Sequence, residues 1–159
     1  MLTSKIRSPH VRMEVSQITE DIFVGTNECC QIHYQILLLN QGITHDVSLQ
    51  GEMVDAPYGA ESFLWLPTED HLAPSTTSLE VGVAHIDRVI ANGGKVYVHC
   101  KNGHGRAPTL VAAWLVAHGR TAEQAVSLVK AKRPEIHLEQ AQLDALRVFA
   151  KRASGAKNI

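Results

Sequence analysis

Lys95-Val96-Tyr97-Val98-His99-Cys100-Lys101-Asn102-Gly103-His104-Gly105-Arg106-Ala107-Pro108-Thr109 changes its pattern twice in fifteen residues. Its first five residues alternate and are β-rich, its middle is a loop with two glycines, and Thr109 to Leu115 reads as a buried helix. Cys100 therefore falls between a strand and a helix. The first N–H groups of a helix lack intrahelical partners, and with the macrodipole they favour an anion. The same field favours thiolate over thiol, and thiolate is the nucleophile. Arg106 adds a permanent charge that the loop can curl round to face the sulfur. Gly103 and Gly105 permit that curl, turning successive N–H groups onto one concave surface that suits a tetrahedral oxyanion. Pro108 fits a first helical turn, where its missing donor costs little.

His99-Cys100, five residues and Arg106 resemble the signature of the cysteine-dependent protein phosphatases, and the chain's size resembles their small dual-specificity branch. The resemblance implies that Cys100 attacks phosphorus and that Arg106 and the loop from Lys101 through Asn102, Gly103, His104 and Gly105 hold the phosphoryl oxygens. It also implies that His99 hydrogen-bonds backbone beside Cys100 and tunes the thiol. Leu66-Pro67-Thr68-Glu69-Asp70-His71 is similar to the family's acid loop, so Asp70 is expected to protonate the leaving oxygen, with Glu69 as its competitor. The family usually carries Ser or Thr after the arginine; Ala107 resembles instead the slow phosphatases of regenerating liver. A missing hydrogen bond to sulfur is worth about 1.5–3 kcal/mol at most. A phosphate-dependent binding module or near-inactive phosphatase is thus the alternative. Lys101 matches a lysine of the phosphoinositide phosphatases, but His104 stands where those carry a second lysine, so phosphoproteins are the expected substrates and phospholipids the alternative.

The remaining chain supplies a scaffold. With 159 residues and 45% hydrophobic content, one core and one domain over residues 1–159 are expected. A net charge of −1 gives no global case for nucleic acid or an anionic membrane. Cys29, Cys30 and Cys100 cannot all pair, and a working thiolate needs a reducing compartment, so the expected location is cytoplasmic. No apolar run approaches a membrane span, no leader is visible, and a monomer is expected. His99, Cys100 and His104 lack a second Cys/His pair at zinc spacing, so neither metal nor cofactor is expected in the chemistry.

In order, residues 1–13 read as a loosely docked arm and residues 14–25 as two short strands around Thr19-Glu20-Asp21. Asn27 is placed to cap a helix whose broad apolar face is Ile32, Ile36 and Leu39 with Leu37 and Leu38 nearby, and Cys29 and Cys30 lie in its first turn as packing residues or, second, as a resolving thiol for Cys100. Strands follow at residues 43–49 and 63–66, separated by a polar loop with Glu52 and Asp55. Thr77 and Glu80 suggest a capping box for a helix carrying Leu79, Val83, Ile86 and Ile90 inward. Thr121 and Gln124 suggest another, before a helix carrying Ala122, Ala125, Val126 and Val129. A last helix spans residues 139–152, and residues 154–159 read as a mobile tail. Alternating strands and helices predict an α/β fold: a central, mainly parallel sheet flanked by helices on both faces, with the phosphate loop between a central strand and a helix.

Overall fold

The structure is a computed structural model that describes residues 12–156. Residues 1–11 of the expected arm and 157–159 of the expected tail lie outside them. Five strands, β1 (Val15–Gln17), β2 (Ile22–Gly25), β3 (Ile43–Gln50), β4 (Ser62–Thr68) and β5 (Lys95–His99), form one sheet in the order β1-β2-β5-β3-β4. Only β1 runs antiparallel to its neighbour; the other pairs are parallel. The middle strand is therefore β5, the one that ends at His99.

Strand alternation sorts the side chains onto two faces. Ile22, Val24, Val47, Leu66, Val96 and Val98 meet α2 (Thr76–Ala91), α3 (Arg106–Ala117), α4 (Ala122–Lys132) and α5 (Gln140–Ala156) in the main core. Tyr97 and Ile43 face the opposite way, against Met13 and the short helix α1 (Gln31–Leu37). The mainly parallel sheet with helices on both faces is as expected. α3 contains ten buried residues in a row apart from Trp114, which explains its lack of a polar stripe.

Several local expectations are corrected. Cys30, not Asn27, precedes α1, and it makes no side-chain cap bond. Ile32 and Ile36 are 69% and 47% exposed, because the inward pair on so short a helix is Tyr34 and Leu38, one turn apart. The N-cap of α2 is Ser75, whose hydroxyl accepts from the Ser78 N–H, so Thr77 and Glu80 form no capping box there. The Thr121–Gln124 box forms as expected. β4 continues through Pro67, which an edge strand accommodates because the missing N–H points away from the ladder. α5 runs to Ala156, past the expected start of the tail at Ser154.

Candidate active site

β5 ends at His99, and α3 begins at Arg106 with Gly105 as its N-cap, so the intervening loop opens at the carboxyl end of the middle strand. Cys100 is buried at 2% exposure. Gly103 takes a left-handed φ of 68°, and a Cβ there would fall 2.5 Å from the Gly25 carbonyl oxygen, so only glycine fits this bend. The loop's outward carbonyls are held by a buried residue that sequence reasoning missed. Arg133 Nε donates to the Gly103 carbonyl at 2.9 Å and Nη2 to the Asn102 carbonyl at 3.0 Å. Fixing those carbonyls on the outside leaves the loop's amides for the inside.

Cys100, Asn102, His104, Gly105, Arg106 and Asp70 all border one small cavity of about 60 Å³, joined by His71, His137, Glu139 and Gln142. Glu69, the other candidate acid, does not border it. Neither do Lys101 and Gly103; Lys101 lines a neighbouring groove with Asn27 and Cys29. Among the expected phosphate-loop residues, the structure thus brings together all but these two and places His99 beneath the loop.

Arg106 is almost wholly buried. Its Nη1 donates to Glu52 Oε2 at 3.0 Å and to the Thr68 carbonyl at 2.8 Å, while Nη2 lies 3.3 Å from Asp70 Oδ1. Among the described residues its Nε–H finds no partner. The Arg106 hydrogen bond holds the Glu52 carboxyl below its ordinary range. The guanidinium is therefore aimed by a carboxylate and a carbonyl from the ends of β3 and β4, two segments far from it in sequence.

The acid loop is also anchored. His71 sits in the left-handed region at φ 64°, its N–H donating to Asp70 Oδ1 at 3.0 Å, and its ring lies 3.0 Å from Glu139 Oε1. The hydrogen bond to Glu139, followed by the charge of Asp70, pushes the His71 imidazole upward. Gln142, buried, donates to the Leu72 carbonyl at 3.1 Å and accepts from the Glu139 N–H at 2.9 Å. It presses so closely on Gly105 that a Cβ there would come within 2.7 Å of its Oε1. One amide thus ties the acid loop, the start of α5 and the phosphate loop together.

Under the loop lies a buried polar chain. His99 Nε2 is 2.9 Å from Asp46 Oδ1, and Tyr34 donates its hydroxyl to Asp46 Oδ2 at 3.0 Å. On the ring's other side, His99 Nδ1 stands 3.4 Å from Asp55 Oδ2. Burial alone disfavours the charged imidazole, yet Asp46 and then Asp55 outweigh it and hold the His99 pKa above its ordinary value. Asp55 is itself pushed up, chiefly by burial. Both groups bind protons more readily in the folded chain. Their contribution to stability is therefore greatest below their unfolded values and falls as pH rises through the folded ones. Replacing Asp46 with asparagine leaves the buried imidazolium with Asp55 alone and is expected to cost up to about 3–5 kcal/mol, by comparison with other broken buried pairs. Urea unfolding checks this, and the loss should shrink at alkaline pH, where His99 is neutral. An equal loss at both pH values would show that the pair's charge is not what stabilises it.

A family profile described as the dual specificity phosphatase catalytic domain matches residues 22–152. The human protein named phosphatidylglycerophosphatase and protein-tyrosine phosphatase 1 is 39% identical over 79 residues, covering 49% of this chain and 39% of its own length. Dual specificity protein phosphatase 1B of Arabidopsis thaliana is 28% identical over 147 residues, covering 89% of this chain and 85% of its own. The chain spans less than half the length of the first of these. The crystal structure of PTPMT1 in complex with PI(5)P superposes with a TM-score of 0.80 at 23% identity, covering 90% of this chain and 98% of that one. At that identity the likeness shows the fold alone.

Proposed function

This chain belongs to the dual specificity phosphatase family, and from that premise we propose that it hydrolyses phosphate monoesters through a cysteinyl-phosphate intermediate. The observation that carries the reading is that Cys100, Arg106 and Asp70 border one cavity. Cys100 Sγ attacks phosphorus, forming the S–P bond as the P–O bond to the leaving group breaks. Arg106 and the loop amides, including those of the first turn of α3, take the equatorial oxygens, whose charge grows in the transition state. Asp70 gives its proton to the leaving oxygen. In the second step a water attacks phosphorus, its proton passes to Asp70, and the thiolate departs with inorganic phosphate released. His99 acts from below, its charge favouring thiolate at the neighbouring residue.

Phosphorylated proteins are the first substrate class, as either aryl or alkyl phosphoesters. A phosphate on a lipid head group is the second. It is favoured by the lipid-phosphate half of the first relative's name and by a lining that, among the described residues, includes His71, His104, His137 and Glu139 but no Phe, Tyr or Trp to pack on a phosphotyrosine side chain. Among the described residues no helix is long and apolar enough to cross a membrane. The thiol chemistry suits a reducing compartment such as the cytoplasm.

The test is hydrolysis of an activated aryl phosphate with chelator present, followed by phosphopeptides and phosphatidylglycerophosphate in mixed micelles. Turnover of the aryl ester supports the reading, and tight phosphate binding without turnover selects a binding module instead. Ala107 touches the second step. With no hydroxyl to stabilise the leaving thiolate, the intermediate should accumulate, giving a burst of phenol before slower turnover. Ala107→Ser should raise the steady rate by about 10-fold, the equivalent of one modest hydrogen bond. A parent without a burst, matched in steady state by Ala107→Ser, would mean that breakdown of the intermediate is not limiting.

A further inference from the structure

Away from the catalytic cavity, three ligand-type side chains converge where the strap after β2 enters α1. Cys29 Sγ lies 3.1 Å from His33 Nδ1, and the ligand atoms of Cys29, Cys30 and His33 all lie within 4.8 Å of one another. The chain's local conformation brings this about. Cys30 is extended, with φ −171° and ψ 158°, so the backbone turns into the helix directly behind it and sets His33 one turn beyond Cys29. Both thiols are free and all three residues are partly exposed.

We propose that Cys29, Cys30 and His33 bind a thiophilic divalent cation, zinc foremost, as three protein ligands with water completing a tetrahedron. Two sulfurs and an imidazole are a recognised zinc set when the fourth position is open, whereas calcium and magnesium require oxygen ligands. Bonds of about 2.3 Å to sulfur and about 2.0–2.1 Å to nitrogen put tetrahedral ligand atoms roughly 3.5–3.8 Å apart. The 4.8 Å spread is thus closed by cysteine rotamer changes on a partly exposed segment, without rebuilding the fold. On binding, the two thiols release their protons to solvent. Cys29 borders the Tyr34–Leu38 cluster, and its hydrogen bond with His33 Nδ1 already sets two of the three ligand atoms side by side.

The strap that carries the two cysteines is tied to the phosphate loop, since the Asn27 N–H donates to the Lys101 carbonyl at 3.1 Å. Cys29 also shares a groove with Lys101 and Asn102. A cation here would fix the strap against the residue that follows the nucleophile. The site is nonetheless a separate one, and its existence does not depend on the phosphatase reading.

Cys100 is itself a possible metal thiolate, so the test uses the full chain carrying Cys100→Ser. Titration with cobalt should give a thiolate-to-metal charge-transfer band and tetrahedral visible absorption that saturate at one cobalt per chain and are abolished by zinc. Adding Cys29→Ser and Cys30→Ser should remove the band, and His33→Gln should weaken zinc binding by more than about 10-fold, the least that losing even an outer partner costs. No band from Cys100→Ser, which has an intact cluster, overturns the proposal irrespective of how the other variants fold. A band that survives loss of both cysteines overturns it equally.

Discussion

Cys100→Ser is expected to abolish steady turnover of an aryl phosphate, and Arg106→Ala to lower kcat/KM by about 10³-fold or more. The two losses have different origins. At Cys100 the nucleophile itself is removed, because a hydroxyl in place of the thiolate is a poor attacker without a base beside it. Arg106 leaves the nucleophile in place but withdraws charge from the oxygens where it develops, and a factor of 10³ corresponds to about 4 kcal/mol of transition-state stabilisation. Its removal also frees Glu52, whose carboxylate lies 3.0 Å from the guanidinium and would then present a bare negative charge to an incoming phosphate. Arg106→Lys should recover little, since a single ammonium cannot span Glu52, the Thr68 carbonyl and a phosphoryl group together. Phosphate binding separates the two: Cys100→Ser should retain it and Arg106→Ala lose it. A Cys100→Ser chain as active as its parent would remove the covalent mechanism altogether.

The loop was legible because its determinants are local. A β-rich run, two glycines, a cysteine and an arginine at fixed spacing specify a strand, a bend and a helix start without reference to the rest of the chain. Asp70 came from a similarly local phrase, and the structure sets it on the cavity with Cys100. What stayed hidden depends on tertiary placement. Glu52 is one acid in a polar loop until β3 brings it to Arg106, and Arg133 reads as a helix-end cation until its side chain reaches the Asn102 and Gly103 carbonyls. Gln142 carries no motif at all, and its role arises only where α5 meets two loops. Asp46 did leave a signal. A carboxylate in a strand flanked by Ile43, Val47 and Leu49, and so buried in a parallel sheet, must find a buried partner, and Tyr34 and His99 supply it. The apolar residues of α1 mislead because a seven-residue helix buries only about one residue per turn: of the expected apolar face Leu38 is buried, Tyr34 one turn before it fills the other inward place, and Ile32 and Ile36 face solvent.

Asp70→Asn is expected to lower kcat on alkyl phosphates by about 10²–10³-fold while changing the rate on a nitrophenyl phosphate by less than about 10-fold. An alkoxide leaves poorly unless a proton reaches its oxygen as the P–O bond breaks, whereas a nitrophenolate is stable enough to leave without one. In the proposed mechanism that proton comes from Asp70. It borders the cavity beside Cys100, with Oδ1 held by the His71 N–H and Nη2 of Arg106 3.3 Å away. A bound phosphoryl group would draw Arg106 toward its own oxygens and leave the Asp70 carboxyl facing the leaving group. Asparagine keeps the side chain's shape but has no proton to give, so the loss should be confined to the poor leaving groups, with KM little altered. Glu69→Gln is the control, since Glu69 lies on the same loop yet outside the cavity. If Glu69→Gln shows the leaving-group dependence and Asp70→Asn does not, the acid is Glu69, and the loop must then turn on binding substrate to bring that carboxyl inward.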